Sequence, residues 1–365
     1  MRLAMRLAAV ALAAALFSAR SMPGAEVTKT LRAQLPAPDL SRFAVENLAG
    51  TMRIEPGAEG AVTVVATIHA ESQKLADAVR LERVVGRSGT ATLRVRYPAS
   101  VRTIRYRAPL DEDAVSINLG LDLFSSSTYH YDGRIYHVAS GHGRRLWADL
   151  EVHVPPKIAA ARFKNLAGLV EADGVEGNLS FDVASADLRL RRLGGELALH
   201  GSSGDIRASD IRGGWKSDFS SGDCEIDGFD GDILSVSTSS GDVRARGVRA
   251  RRVELDTSSG DASFQDADIE EFRGKASSGD LALEAVGSRL KELSAHTSSG
   301  DVALRLPGDA SFDASADQSS GDMAVGFSDG TPTRRHDKLV GYRRGTDGAR
   351  IRVETSSGDL AISPK

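Results

Sequence analysis

The chain has 365 residues, 41% hydrophobic and only 5% aromatic, with 37 glycines and a formal net charge of −4. That length holds one long domain or two ordinary ones, and the charge argues against a dedicated nucleic-acid binder. A single cysteine, Cys224, leaves no internal disulfide and no Cys/His zinc cluster.

The first element in chain order is an export signal. Two arginines in MRLAMR precede the apolar run LAAVALAAALFSA, and Ala19-Arg20-Ser21 offers a small-x-small cleavage pattern. A signal peptide is expected over residues 1–21, with cleavage as late as 25. The run is too short to span a bilayer stably, and no later segment is long enough. The mature chain is therefore expected to be exported, to the periplasm or cell surface, with no transmembrane helix.

Further along, the tetrad Ser-Ser-Gly-Asp occurs eight times, with glycines at Gly204, Gly222, Gly241, Gly260, Gly279, Gly300, Gly321 and Gly358. Two degenerate copies precede them, Asn165-Leu166-Ala167-Gly168 and Ala184-Ser185-Ala186-Asp187. Spacings run from 18 to 21 residues, except for 37 between the last two glycines. A period near 19 sustained over ten copies marks a solenoid.

Residues seven, five and three before each glycine are mostly apolar or small, as in Leu179, Phe181 and Val183, with polar residues between them. This period of two is a strand with one buried face. After the glycine the apolar positions change phase, to Ile206 and Ala208 or Leu281 and Leu283. A phase change at glycine reads as a corner, where a positive φ is often needed. Further turns, at Gly194-Gly195 and Gly213-Gly214, lead back to the next strand. One coil cannot fold alone. Ordering its backbone costs at least about 19 kcal/mol, while each inward side chain contributes only about 1.5–3 kcal/mol when fully buried. Within the tetrad the second serine falls on the inward phase, to bond along the stack. The aspartate points out, to accept N–H groups freed by the turn.

These repeats resemble the DUF4097 family, bacterial β-strand-repeat proteins with an adhesin-like label and no established activity. The resemblance implies an exported β-solenoid. It extends to Val45–Ile54 as an opening coil, with Asn47-Leu48-Ala49-Gly50 echoed at 165–168. It also covers hairpin strands around Ala61–Ile68 and Thr90–Tyr97, and a lead-in that ends at Val154-Pro155-Pro156. The expected organisation is an N-terminal β region over 26–160 with an insertion at 103–145. A repeat solenoid over 161–365 follows, with an insertion at 328–348.

Candidate chemistry is sparse. Asp205, Asp223, Asp242, Asp261, Asp280, Asp301 and Asp322 are expected to stack along one edge, with Asp359 at the end. Carboxylates about 4.8 Å apart repel by roughly 0.9 kcal/mol in water, which a charge-assisted bond to the turn, about 1.5–3 kcal/mol, offsets. Calcium is the sharper reading of that column. Tyr129, His130, Tyr131, Tyr136 and His137 read as an aromatic ligand loop outside the array, with a weaker metal reading. The basic stretch 334–344 suits a solvated loop or an anionic envelope polymer. Three residues after the glycine, Arg189, Arg207, Glu225 and Arg244 give way to Ser263, Ala282, Ala303, Ala324 and Ala361. That small stripe is open either to solvent or to a partner, a second copy included. Cys224 takes the place of Ile206 or Val243 and reads as core.

The sequence thus predicts an all-β parallel solenoid without cofactor or catalytic residues: an adhesin-like scaffold whose partner is an unidentified envelope protein or polysaccharide. Two alternatives remain open, a β-helix polysaccharide lyase or hydrolase, and a calcium-stabilised rod.

Overall fold

The computed structural model describes residues 26–36, 40–85, 90–106, 126–284 and 286–365. The expected signal peptide, and most of the insertion up to 125, lie outside them. The described chain is all-β apart from one short helix, Gln73–Ala78, and most strands join one large, mainly parallel sheet. No helix among the described residues is long and apolar enough to cross a membrane.

The alternation read from sequence sets the pairing. Strand Lys157–Asp173 lies parallel to Glu176–Arg191 with Phe163 opposite Phe181 and Gly168 opposite Ala186. Farther on, Ile206 faces Cys224, Cys224 faces Val243, Val243 faces Ala262 and Ala262 faces Leu281. Like positions of successive repeats thus sit side by side. The inward positions form one continuous buried cluster, and their sizes are matched across neighbours. Phe163 and Phe181 stack at 5.6 Å. Gly274 stands where the Phe272 ring leaves no room for a Cβ. Buried Trp215 gives its indole N–H to Ser217 Oγ at 3.0 Å, which supplies the partner a buried indole needs.

The array begins inside the N-terminal region. Strand Phe43–Pro56 pairs parallel with Lys157–Asp173, with Gly50 opposite Gly168. On its other side it meets Ala91–Arg96 and the end of Arg144–Val154. The two strands expected as a hairpin do not pair with each other. Ala61–Ala70 runs antiparallel to Val27–Pro36 and to Arg144–Val154, while Ala91–Arg96 pairs with Arg80–Val85. The intervening helix and the buried Leu75 and Ala76 separate them.

The far end departs from sequence order. Strand Ala349–Thr355 lies between Glu292–Thr297 and Phe312–Gln318, parallel to both. Leu360–Pro364 likewise lies between Val302–Leu306 and Met323–Val325. The last repeat is therefore inserted between the two before it. The long gap between Gly321 and Gly358 holds an antiparallel hairpin, Thr331–Arg335 with Lys338–Arg344. The second hairpin strand pairs antiparallel with Phe312–Gln318 and covers that sheet edge. The outer hairpin strand is exposed throughout and carries Pro332 and two arginines, features that discourage further edge pairing.

Candidate functional site

The tetrad corners come first, because they place everything else. Seven of the eight tetrad aspartates, all but Asp322 at the end of the column, do two jobs. The carboxylate accepts the backbone N–H of the next aspartate: Asp223 N to Asp205 Oδ1 at 3.1 Å, Asp242 N to Asp223 Oδ1 at 3.0 Å, and Asp301 N to Asp280 Oδ1 at 2.8 Å. The carbonyl accepts the N–H after the preceding aspartate, as in Cys224 N to Asp242 O at 2.8 Å. Asp261 and Asp280 continue the ladder at 3.1 and 2.9 Å. Asp359 does not close the column. It sits inside it, donating to Asp301 Oδ1 and accepting from Asp322 N, each at 2.8 Å.

The glycine requirement differs from the expected one. Gly204 and Gly222 have φ of 125° and 111°, whereas Gly241, Gly260, Gly279, Gly300, Gly321 and Gly358 have no positive φ. What those six share is contact: a Cβ on Gly279 would lie 1.9 Å from Gly260 O, and one on Gly321 1.9 Å from Gly358 O. Left-handed residues form a separate column instead, six residues on, at Gly174, Arg192, Asp210, Gly228, Gly247 and Asp266. Glycine and aspartate tolerate that conformation, so five of the six residue types were a readable signal of this second corner.

The second serine is also corrected. Ser240, Ser259, Ser278, Ser299, Ser320 and Ser357 are exposed. The buried hydroxyl belongs to threonine three before the glycine. Thr297 Oγ1 donates to Gly300 O at 2.7 Å and accepts Gly300 N at 2.8 Å, and Gly358 N bonds Thr355 Oγ1 at 2.8 Å. The first two corners in the chain use asparagine there: Asn47 and Asn165 donate to Ala148 O and Gly50 O, each at 2.8 Å.

The predicted aromatic loop is a hairpin, Ser126–Tyr131 with Arg134–Ala139. Tyr129, Tyr131 and Tyr136 are buried, and Tyr136 and His137 also line a cavity of about 610 Å³ with Arg102 and Arg134. Tyr131 OH donates to Val95 O at 2.7 Å, and its ring meets Tyr97 and Tyr136 edge-on. At the hairpin turn, Asp132 pairs with Arg94 at 2.7 Å and Arg96 at 3.0 Å. Burial pushes the Asp132 carboxyl up, but the two arginines hold it below its ordinary value. His130 is exposed, and His137 bonds Thr128 Oγ1 at 3.0 Å. No cluster of three metal-capable side chains occurs among the described residues. Cys224 is buried, its thiol pushed up to about 12 by burial.

The outer face of the second strand, across the strands from Arg53 to Asp227, carries a charged groove of about 580 Å³ whose lining includes Ile54, Ala172 and Ala208. Its first outward column reads Glu151, Arg53, Glu171, Arg189, Arg207, Glu225, Arg244 in register. A second outward column reads Asp173, Arg191, Ser209, Asp227, Arg246. The sequence showed the first column from Arg189 to Arg244. The second falls five residues after each corner and follows the same period, although the sequence reading did not draw it out. The alanine stripe continues the first column as Ser263, Ala282, Ala303, Ala361, Ala324, with Ala361 displaced from the end by the insertion.

Repeated corners, in-register parallel pairing and an uninterrupted inner core make this an all-β repeat protein. Residues 195–363 match the model of the family described as Toastrack DUF4097, the family that the tetrads resemble. No curated protein matches the chain. Among solved structures, a candidate adhesin from Parabacteroides merdae is 9% identical, with 92% of this chain and 96% of that one covered and a TM-score of 0.39. A candidate lipid-binding protein from Parabacteroides distasonis is 13% identical over 92% and 96%, with a TM-score of 0.36. A candidate cell adhesion protein from Clostridium sporogenes is 11% identical over 93% and 100%, with a TM-score of 0.23. Scores this low define neither the shape nor the work of the present chain.

Proposed function

We propose that the protein is a non-enzymatic, adhesin-like scaffold of the bacterial envelope, a parallel β-solenoid with coils of about 19 residues that works through its outer faces. The observation that supports this most is the use made of the acids. A polysaccharide-cleaving site needs carboxylates placed irregularly and left able to exchange protons. Here the recurrent carboxylates, Asp322 at the end apart, hold the N–H of a neighbouring corner, as Asp205 holds Asp223. The family match over 195–363 and the exposed, regularly spaced outer columns agree with a surface-presenting role.

Incubation of the chain with purified neutral and acidic envelope polysaccharides tests the reading. Retention without release of reducing ends is expected. Turnover abolished by one aspartate substitution would replace the scaffold with an enzyme.

A further inference from the structure

The tyrosine hairpin turns at Asp132-Gly133, with φ of 48° and 71°, the two-residue turn that an Asp-Gly pair favours. Its second strand runs parallel to Thr103–Arg105, and His137 N donates to Arg102 O at 2.8 Å. Just before that strand, Val101 N donates to Pro98 O at 3.1 Å and bends the chain. Hairpin and bend together enclose the cavity of about 610 Å³, lined by Val101, Arg102, Arg134, Ile135, Tyr136 and His137 among others.

No acid lines this cavity, whereas Glu171 and Asp173 line the charged groove on the array. Asp132, the acid at the hairpin turn, is taken by Arg94 and Arg96. Arg102 and Arg134 are exposed, and neither side chain has a hydrogen bond or ion pair among the described residues. Thr128 Oγ1 holds His137 Nδ1 at 3.0 Å, which leaves Nε2 without a partner among them. Ile135 is 52% exposed, a branched apolar side chain beside two guanidiniums.

Unpaired guanidiniums in a concave, acid-free site select an anion. A cavity of this size suits an organic ligand rather than a bare ion, and Ile135 offers apolar surface to its C–H groups. We propose that the cavity binds an acidic sugar unit of an envelope polysaccharide. Arg102 and Arg134 hold the anionic group through charge-assisted bonds. His137 Nε2 meets a ring hydroxyl, and Ile135 packs on the C–H face of the sugar. The proposal rests on the reading of the protein as an envelope scaffold, and it names one place where that scaffold holds a polymer. Uronates and phosphorylated sugars share this chemistry.

Thermal unfolding of the full chain tests the site with glucuronate, glucose 6-phosphate and glucose, against sodium chloride at matched ionic strength. Glucuronate is expected to raise Tm saturably, beyond salt and beyond glucose. A stronger response to glucose 6-phosphate, lost in the same variants, makes the phosphorylated sugar the better ligand of this site. Arg102→Gln and Arg134→Gln should each weaken binding by about tenfold or more. Their ligand-free Tm should match that of the wild type, because neither side chain holds a partner. Arg212→Gln, at an exposed arginine outside this cavity, should bind as the wild type does. Responses to both acidic sugars no larger than those to glucose or salt, binding retained in Arg102→Gln/Arg134→Gln, or equal weakening by Arg212→Gln would overturn the site. Polysaccharide retention that survives the double variant would leave the scaffold standing without this pocket. A saturable glucuronate response in a chain that retains no polysaccharide would sink the scaffold and keep the pocket as a site for the free acidic sugar.

Discussion

Glycine at the tetrad corner acts by absence of a side chain more than by backbone freedom. At Gly279 the carbonyl of Gly260 lies where a Cβ would be, 1.9 Å away, and that carbonyl belongs to a corner fixed by its own neighbour. Gly279→Ala must therefore move two strands, and it is expected to destabilise by more than about 3 kcal/mol in urea unfolding, in the range of severe backbone and packing defects. Gly308 is the contrast: nothing lies within 4 Å of its Cβ position and its φ is not positive. Gly308→Ala should be neutral or stabilise by up to about 1 kcal/mol, through loss of entropy in the unfolded chain. The aspartates make a related case. Asp280 Oδ1 already accepts an N–H at 2.8 Å, a bond that offsets the repulsion between neighbouring carboxylates. Melting curves in calcium and in chelator are expected to coincide. A large calcium-dependent rise in Tm would mean that the outer carboxylate oxygens recruit the metal, in competition with Arg244, which holds Asp242 Oδ2 at 2.6 Å.

At the scale of elements, the N-terminal strands are fastened by a titratable clasp. His69, on strand Ala61–Ala70, lies 2.6 Å from Glu26 and 3.0 Å from Asp149, and its ring stacks on Trp147 at 4.9 Å. Asp149 in turn accepts Thr51 N at 2.7 Å, so the clasp reaches the first corner of the array. The hydrogen bond to Asp149 raises the histidine pKa, partly opposed by burial and helped by Glu26. A group whose folded pKa is raised stabilises fully below its unfolded value, about 6.5 for histidine, and loses that contribution as pH climbs through the folded value. Stability should therefore decline as pH rises from about 6.5, and His69→Phe should flatten that decline while keeping the stack on Trp147. An unchanged pH slope in the variant would assign the decline to other groups. None of this clasp was legible in sequence, because its three members come from segments that only the antiparallel pairing brings together. The repeat strands were legible for the converse reason: each inward residue meets its counterpart from the neighbouring repeat, so one period describes many contacts. The burial of the hairpin tyrosines was not legible, because clustered aromatics look alike whether they face a ligand or a core. Tyr97, far upstream, decides for the core.

For the whole molecule, interchangeable corners mean that sequence order need not be stacking order. The stretch 355–359 has the same five letters as 297–301, and it makes the same bonds: Thr355 caps Gly358 as Thr297 caps Gly300. The 300 and 321 corners are spaced like 279 and 300, so direct stacking was available to them. What selects the inserted arrangement is the hairpin at 331–344. By pairing antiparallel with Phe312–Gln318 it occupies the outer edge where a last repeat would otherwise add. The chain's final strands then enter between Val302–Leu306 and Met323–Val325. Three exposed alanines report on this directly. Ala361 is paired with both Ala303 and Ala324, which lie on opposite sides of it, about 9.6 Å apart at the usual strand spacing. A disulfide needs Cα atoms within about 7 Å. Mild oxidation should therefore close the bond in Ala303→Cys/Ala361→Cys and leave Ala303→Cys/Ala324→Cys open, as read by electrophoretic mobility without reductant. The buried thiol of Cys224 does not compete. Closure of the second pair in place of the first would put the repeats back in sequence order, and the hairpin would then cap nothing.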